Sequence, residues 1–481
     1  MDKNQLKTII PDYVLDVARI LKKEHFEAYL VGGSLRDIAM GRQVKDYDIG
    51  TDALAKDIVN IFPKAIATGA KFGSIIVLMK DEQGETQHID VTTYRIDEQY
   101  IHGRWPSKVI FTRSINEDLS RRDFTWNAMA LELHSLQEGV TNAILLDPFG
   151  GQKDIKLKVV RSVGNAAERM KEDALRALRA CRFASVLGFE LDNEVFTAIK
   201  NVLPMIDNLS AERVREEFLK ILYNSSKPSV GLKLLKETGI LKIWIPELLE
   251  GVGVDQPLFH AYDVFEHSLR TVDIADDSVK LAALFHDIGK PRTKKGKHFY
   301  RHDVVGYEMT RNIMNRLRFS KKEIDRVSRL VRWHMFYFPY DEEAFMKGKE
   351  LGDTELEKGK KILQWGDAAI RRFVKNVGGE DAVDDLFMLR IADATANPKG
   401  LFDPHELEAL EQRISEVRQK DMALKVSDLD INGHDLQELG IPSSPKLGNI
   451  LHDLIEIVIE DPTKNDKKTL ISIVKERYLE K

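Results

Sequence analysis

The spacing of apolar residues changes partway along this chain, and that change limits what it can fold into more than any other feature. Residues 1–30 read as an amphipathic helix leading into a short apolar strand, Glu27-Ala-Tyr-Leu-Val31. Gly73–Met79 and Gln87–Thr93 are rich in β-branched residues, and Asp81-Glu-Gln-Gly84 between them is a hairpin turn signal. Past residue 165 the apolar period lengthens to that of helices, as in Glu168–Leu187 and Ala211–Tyr223. The predicted fold class is α+β: a small sheet-and-helix head followed by a mostly α-helical remainder. Pro228, Gly251, Gly253 and Pro257 mark one boundary, and the polar stretch Asn397–Pro404 marks another. At roughly 100–200 residues per domain, a chain of 481 residues makes three to four domains. The expected division is 1–150, 151–256, 257–405 and 406–481.

Composition narrows the class. A 43% hydrophobic and 31% charged balance excludes a mostly disordered chain. No segment approaches the ~20 consecutive apolar residues of a membrane span. The first residues are charged and lack the apolar core of a signal peptide. The single cysteine, Cys181, excludes an internal disulfide and fits a reducing compartment, so the expected location is cytoplasmic. A net charge of −5 excludes a globally basic nucleic-acid binder but leaves room for a local basic face.

Three segments of the head carry chemistry. In Leu30-Val-Gly-Gly-Ser-Leu-Arg-Asp37, two glycines follow a strand and open a helix. Gly32 and Gly33 let the backbone approach a ligand, the helix N–H groups suit phosphate oxygens, and Arg36 adds a guanidinium. In Val44-Lys-Asp-Tyr-Asp-Ile-Gly50, period-two alternation turns Asp46 and Asp48 to one side, where their repulsion calls for a cation such as Mg²⁺. A third carboxylate, Asp90, lies on the next amphipathic strand. Three carboxylates on adjacent strands are what two-metal phosphoryl transfer needs, here in-line attack of a hydroxyl on the α-phosphorus of a nucleoside triphosphate.

Gly-Gly-x-x-Arg-Asp followed by Asp-x-Asp resembles the signature of the class II tRNA nucleotidyltransferase and bacterial poly(A) polymerase family. Three further segments resemble that family's motifs in order: Glu117–Ala130 its ribose-contacting motif, Arg169–Ala184 its base-reading helix, and Leu209–Phe218 the motif that braces this helix. The resemblance implies that Asp46 and Asp48 bind Mg²⁺ and that Asp90 assists deprotonation of the primer 3′-hydroxyl. It further implies that Gly33 and Arg36 hold the triphosphate, and that Arg122, Asp123 and Asn127 contact the nucleotide, with Asp123 on the ribose 2′-hydroxyl. CTP, ATP and tRNA are the implied ligands.

Asp173, Arg176, Arg179 and Arg182 recur every three residues, which on one helix stacks them on one face. A carboxylate plus a guanidinium complements the amine-and-ring-nitrogen edge shared by cytosine and adenine and clashes with guanine and uracil. Asp173 and Arg176 are thus a candidate template-free selector, and the resemblance places Arg179 and Arg182 on phosphate or in support. Tyr94–Pro106 resembles the family's flexible loop, needed for terminal adenosine addition; it is not shortened, although His102 stands where the family more often has an acidic residue.

Residues 258–400 hold His267, His286-Asp287-Ile-Gly-Lys290, His302, His334 and Asp393. An adjacent His-Asp pair on a helix lets the carboxylate bridge two ions. The set resembles the HD phosphohydrolase superfamily. That resemblance makes His267, His286, Asp287 and Asp393 ligands of an unidentified divalent metal, adds His302 and His334 as ligands of a second, and brings Lys290 near a phosphate. Gly289–His298 is a local basic cluster, read either as an RNA-backbone contact or as a solvated loop. The tail after Val426 resembles the C-terminal region of HD-containing members and is expected to hold the tRNA body.

The reading is a nucleotidyltransferase that adds CCA to tRNA ends, with an HD centre of possible hydrolytic use. The alternatives are an A-adding enzyme or poly(A) polymerase on the same fold, and an HD phosphohydrolase whose head senses nucleotides.

Overall fold

A computed structural model describes residues 3–101, 105–136, 143–256, 261–336, 338, 365–399, 402–420 and 425–479. His102 lies outside them. The chain forms two compact units, Met1–Trp244 and Ile245–Lys481. Among the described residues, no helix is long and apolar enough to cross a membrane.

The first unit opens with two helices where the sequence suggested one. α1 (Lys3–Ile9) and α2 (Asp12–Lys23) are separated by Pro11, whose extended backbone (ψ 151°) and missing N–H interrupt the helix. Val14, Val17, Ala18 and Leu21 give α2 one buried face. There follow β1 (Tyr29–Val31), α3 (Gly32–Ala39), β2 (Tyr47–Thr51), α4 (Ala55–Ile61), β3 (Ala65–Gly69), β4 (Ser74–Lys80) and β5 (Thr86–Thr93). The turn before β5 is held by the Asp81 carboxylate, which accepts from the amides of Gln83 and Glu85. β6 (Arg95–Ile101) and β7 (Trp105–Phe111) form a separate antiparallel ribbon over most of the segment expected as a loop. α5 (Ile115–Ser120), β8 (Ala130–Glu132) and β9 (Leu145–Leu146) complete a seven-stranded sheet of order β3-β4-β5-β2-β1-β8-β9.

β2 and β5 run parallel, with Asp48 directly opposite Asp90. Alternation sends Tyr47, Ile49, Ile75, Val77, Ile89 and Val91 into a core shared with α2, so Asp48 and Asp90 face the other way. Asp46 lies just before β2 rather than within it.

Beyond the sheet the unit is helical. α6 (Gly151–Leu157) precedes a short parallel pair, β10 (Val159–Val160) and β11 (Glu190–Leu191). The helix expected over Glu168–Leu187 is two, α7 (Ala166–Glu172) and α8 (Leu175–Leu187). Asp173 between them is extended (φ −141°, ψ 105°) and its Oδ1 accepts from the amide of Leu175, as a capping carboxylate does. α9 (Asn193–Asn201) and α10 (Leu203–Ile206) lead to α11 (Ala211–Asn224) and α12 (Pro228–Thr238), which pack on α8, and then to α13 (Ile240–Trp244).

The second unit contains α14 (Pro246–Leu249), α15 (Val264–Ile274), α16 (Lys280–Phe285), α17 (Lys290–Thr293), β12 (Lys294–Lys295), β13 (His298–Phe299), α18 (His302–Arg316) and α19 (Lys321–Trp333). Helices Asp367–Val377, Glu380–Ala396 and His405–Lys420 follow. The tail helices Gly433–Glu438, Pro445–Glu460 and Lys467–Val474 close on their own apolar core around Leu436, Leu454, Val458 and Leu470. His286 and Asp287 sit in the turn after α16, not on a helix as expected.

Candidate active sites

The head site is built where β1 ends and α3 begins. Gly32 has φ +71°, and a Cβ there would stand 3.1 Å from Asp48 Oδ2 and 3.4 Å from Arg122 Nη1. Only glycine meets both conditions at no cost, so the turn lies directly against the carboxylate face. Burial, then Asp90 and Asp46, push the Asp48 carboxyl up to about 6 despite Arg122 and Arg36. Burial and Asp46 likewise raise Asp90. Asp48 and Asp90, both raised beside a further carboxylate, mark a site short of positive charge, and the all-oxygen donor set suits a hard divalent cation.

Cations crowd the rim, each already tied to a carboxylate. Arg36 donates to both oxygens of Asp37, at 2.9 and 2.8 Å, and approaches Asn127 Oδ1 at 3.4 Å. Arg36, Arg179 and Arg182 all lie over the Phe183 ring, at 5.3, 5.3 and 3.7 Å from its centroid. Asp123 accepts from Arg179 Nε at 2.8 Å and from Asn127 Nδ2 at 3.1 Å. Burial alone would raise its carboxyl, but Arg179 and Asn127 hold it at about 2, firmly ionised. Arg182 pairs with the buried Glu217 at 2.5 Å.

The proposed selector is arranged differently from the expected single stripe. Because Asp173 sits in the break between α7 and α8, its free oxygen turns to Arg213, at 2.8 Å. Arg176 is buried and donates to Glu172 at 2.6 Å and to the carbonyls of Arg169 and Arg121 at 3.0 Å. Asp173 and Arg176 therefore do not form a joint edge in this conformation. Arg213 and Glu217, both from α11, reach Asp173 and Arg182 as the bracing resemblance implied.

The second centre gathers six side chains into two triads: His267, His286 and Asp393, and Asp287, His302 and His334. In each triad the donor atoms lie within 4.8 Å of one another. The Asp287 carboxylate links them, with Oδ2 3.2 Å from His286 Nε2 and Oδ1 3.6 Å from both His302 Nε2 and His334 Nε2. His286, His302 and His334 each bond through Nδ1 to a backbone carbonyl, at 2.8, 2.9 and 2.7 Å, which leaves Nε2 facing inward. His286 Nε2 is buried without a hydrogen-bond partner. Burial disfavours a charged His286, yet Asp287 and Asp393 push it up to about 10, so the cluster seeks positive charge. A preoriented imidazole–carboxylate set around an orphaned nitrogen fits a pair of divalent metal ions. Lys290 Nζ lies 2.6 Å from both Asp287 Oδ2 and Gln256 Oε1.

Residues 28–161 match the Poly A polymerase head domain, residues 188–251 the "Probable RNA and SrmB- binding site of polymerase A", and residues 264–371 the HD domain. A CCA-adding enzyme of Enterococcus faecalis is 32% identical over 362 residues, covering 74% of this chain and 79% of that protein. The chain belongs to the CCA-adding enzyme family. A CCA-adding enzyme of Geobacillus thermodenitrificans is 42% identical over 236 residues; that match covers 49% of this chain, which spans about half the relative's length, 55%. The crystal structure of the Bacillus stearothermophilus CCA-adding enzyme in complex with CTP superposes with a TM-score of 0.62 at 26% identity, over 97% of each chain. Membership in this nucleotidyltransferase family implies a divalent metal.

Two groups in this CCA-adding family member escaped the sequence reading. Asp118 is buried and holds two arginines: Oδ1 accepts from Arg121 Nη2 at 2.8 Å and Oδ2 from Arg122 Nη2 at 2.9 Å. Its Oδ1 also accepts from the amide of Arg95, where β6 begins, at 3.3 Å. The i, i+3, i+4 spacing of Asp118, Arg121 and Arg122 is the signal that could have found it. Asp154 accepts from Thr125 Oγ1 at 2.8 Å and from Arg161 Nε at 3.2 Å, joining the turn at Thr125 to α6; nothing in local spacing marks it.

Proposed function

We propose that this chain adds C, C and A to tRNA 3′ ends from CTP and ATP, acting with Mg²⁺ in the cytoplasm. The observation that carries this is the parallel register that sets Asp48 opposite Asp90, against a glycine turn, in a member of the CCA-adding family. Asp46 and Asp48 would hold the metal, which when bound neutralises the triphosphate and acidifies the attacking hydroxyl. Asp90, its pKa raised, accepts the proton of the primer 3′-hydroxyl. Gly32, Gly33 and Arg36 cradle the phosphates. Arg122, Asp123 and Asn127 orient the ribose. Asp173 and Arg176 read the base edge after exchanging their present partners, Arg213 and Glu172, for it, with Arg179 and Arg182 in support. The relative solved with CTP favours cytidine addition over a polymerase using ATP alone. Three tRNA acceptors, ending at the discriminator base, at C and at CC, test the reading with CTP, ATP or both. All should be completed to CCA with a clean stop; extension of the CC-ended acceptor alone, by ATP, would instead make this an A-adding enzyme.

A second activity is favoured by the six-ligand cluster: metal-dependent hydrolysis of phosphoesters at His267, His286, Asp287, His302, His334 and Asp393, with Lys290 near the phosphate. Phosphate release that a chelator abolishes and divalent metal restores, and that disappears in His286→Ala, is the expected result.

A further inference from the structure

The hairpin β12–β13 is built on the histidine–aspartate centre and faces outward from it. Gly296, with φ +61°, opens its two-residue turn, as primed hairpin turns require. Register pairs Lys294 with Phe299 and Lys295 with His298. The first pair faces the protein. Lys294 Nζ donates to the carbonyl of Asp255 at 3.0 Å, and the Phe299 ring lies 5.6 Å from Lys290 Nζ. The Phe299 carbonyl, in turn, holds His302 Nδ1 at 2.9 Å. The other face is open to solvent. It carries Lys295 and His298, with Tyr300 62% exposed beyond them and Lys297 at the turn. The rings of His298 and Tyr300 pair at 5.4 Å between centroids, 32° between planes. Among the described residues, Lys295, Lys297 and Arg301 have no carboxylate partner, whereas Arg292 is held by Glu250 at 2.6 Å.

Aromatic rings interleaved with unpaired cations, in an otherwise acidic chain, suit alternating bases and phosphates rather than a protein surface. The hairpin also ends three residues before His302. We infer that β12–β13 is a docking arm for single-stranded RNA, which presents a phosphorylated 3′ end to the histidine–aspartate centre. Bases stack on Tyr300 and His298, while Lys295, Lys297 and Arg301 take backbone phosphates. This rests on the hydrolase reading for the fate of the end, but not for the binding itself.

Two measurements on the full-length protein separate the two ideas. The first compares KM for a short oligoribonucleotide with a 3′-phosphate against that for a nucleoside 3′-monophosphate, with divalent metal supplied. Lys295→Glu/Tyr300→Ala should raise the oligonucleotide KM about tenfold or more, with kcat held within about twofold, and move the two KM values together. An unchanged ratio of the two overturns the arm. The second cross-links a 4-thiouridine oligoribonucleotide and maps the attached peptide. Cross-links at residues 295–301 that fade with salt support the arm even where neither substrate is hydrolysed, an outcome that refutes the hydrolase reading alone. Cross-links confined to other peptides overturn the arm.

Discussion

The two centres solve the problem of holding a cation in opposite ways. In the head, the candidate ligands Asp46, Asp48 and Asp90 supply oxygen only. Mg²⁺ keeps waters and takes substrate phosphates to complete itself, so such a site is finished by the nucleotide. In the second unit, imidazoles supply half or more of each triad, and three rings are locked by backbone carbonyls. That donor set is assembled before any substrate arrives. The contrast predicts that a metal held in the head exchanges with each nucleotide and that a metal held in the HD centre is retained.

The sharpest way to break this comparison is double dissociation. Asp48→Ala should reduce nucleotide incorporation to background while metal-dependent phosphate release persists, and His286→Ala should do the reverse. Loss of both activities in either variant would mean one shared site. Next in size is metal retention. After desalting, elemental analysis should find divalent metal with the wild type and none with Asp287→Ala, since Asp287 spans both triads. Metal content equal in the two would remove the resident-ion half of the contrast.

A smaller effect tests how the head prepares for its nucleotide. Asp118→Asn weakens the hold on Arg121 and Arg122, so KM for CTP and ATP should rise about tenfold, worth ~1.4 kcal/mol, with kcat changing less. A fall in kcat at constant KM would assign Asp118 to the chemistry instead. The smallest expected signal is in pH. The Asp48 carboxyl, raised to about 6, contributes stability that is fully present below its ordinary value and is lost as pH rises through about 6. Mg²⁺ binds the ionised form, so it should raise Tm more at about pH 8 than at about pH 5, and Asp48→Asn should flatten that difference. Equal shifts at both pH values in the wild type would place the dominant Mg²⁺ site elsewhere.

Much of this was legible in the sequence because it rests on short-range rules. Period-two alternation put Asp48 and Asp90 on strands, and the structure pairs them across one ladder. The glycine turn declared a close approach, and Gly32 abuts Asp48. What was not legible depends on single residues overriding a period. Pro11 splits the first helix, and Asp173 trades helical backbone for a cap on Leu175, which takes it off the helix that carries Arg176, Arg179 and Arg182. His286 and Asp287 leave the helix for its following turn, which no apolar spacing announces. Partners distant in sequence, such as Arg179 with Asp123 and Asp154 with Thr125, were beyond any local pattern.

The ladder between β2 and β5 also acts as a ruler for change in the chain's length. Thirty-four residues separate Thr51 and Thr86, and they include an exposed turn at Asp81–Gly84 where new termini or inserted sequence can be accommodated without touching the pairing. Within Tyr47–Thr51 there is no such freedom. One added or deleted residue exchanges the two faces of the strand, burying Asp48 in the apolar layer and delivering Ile49 to the carboxylate face. The chain can therefore take a change of length at the turn, while the five positions of β2 admit no insertion or deletion.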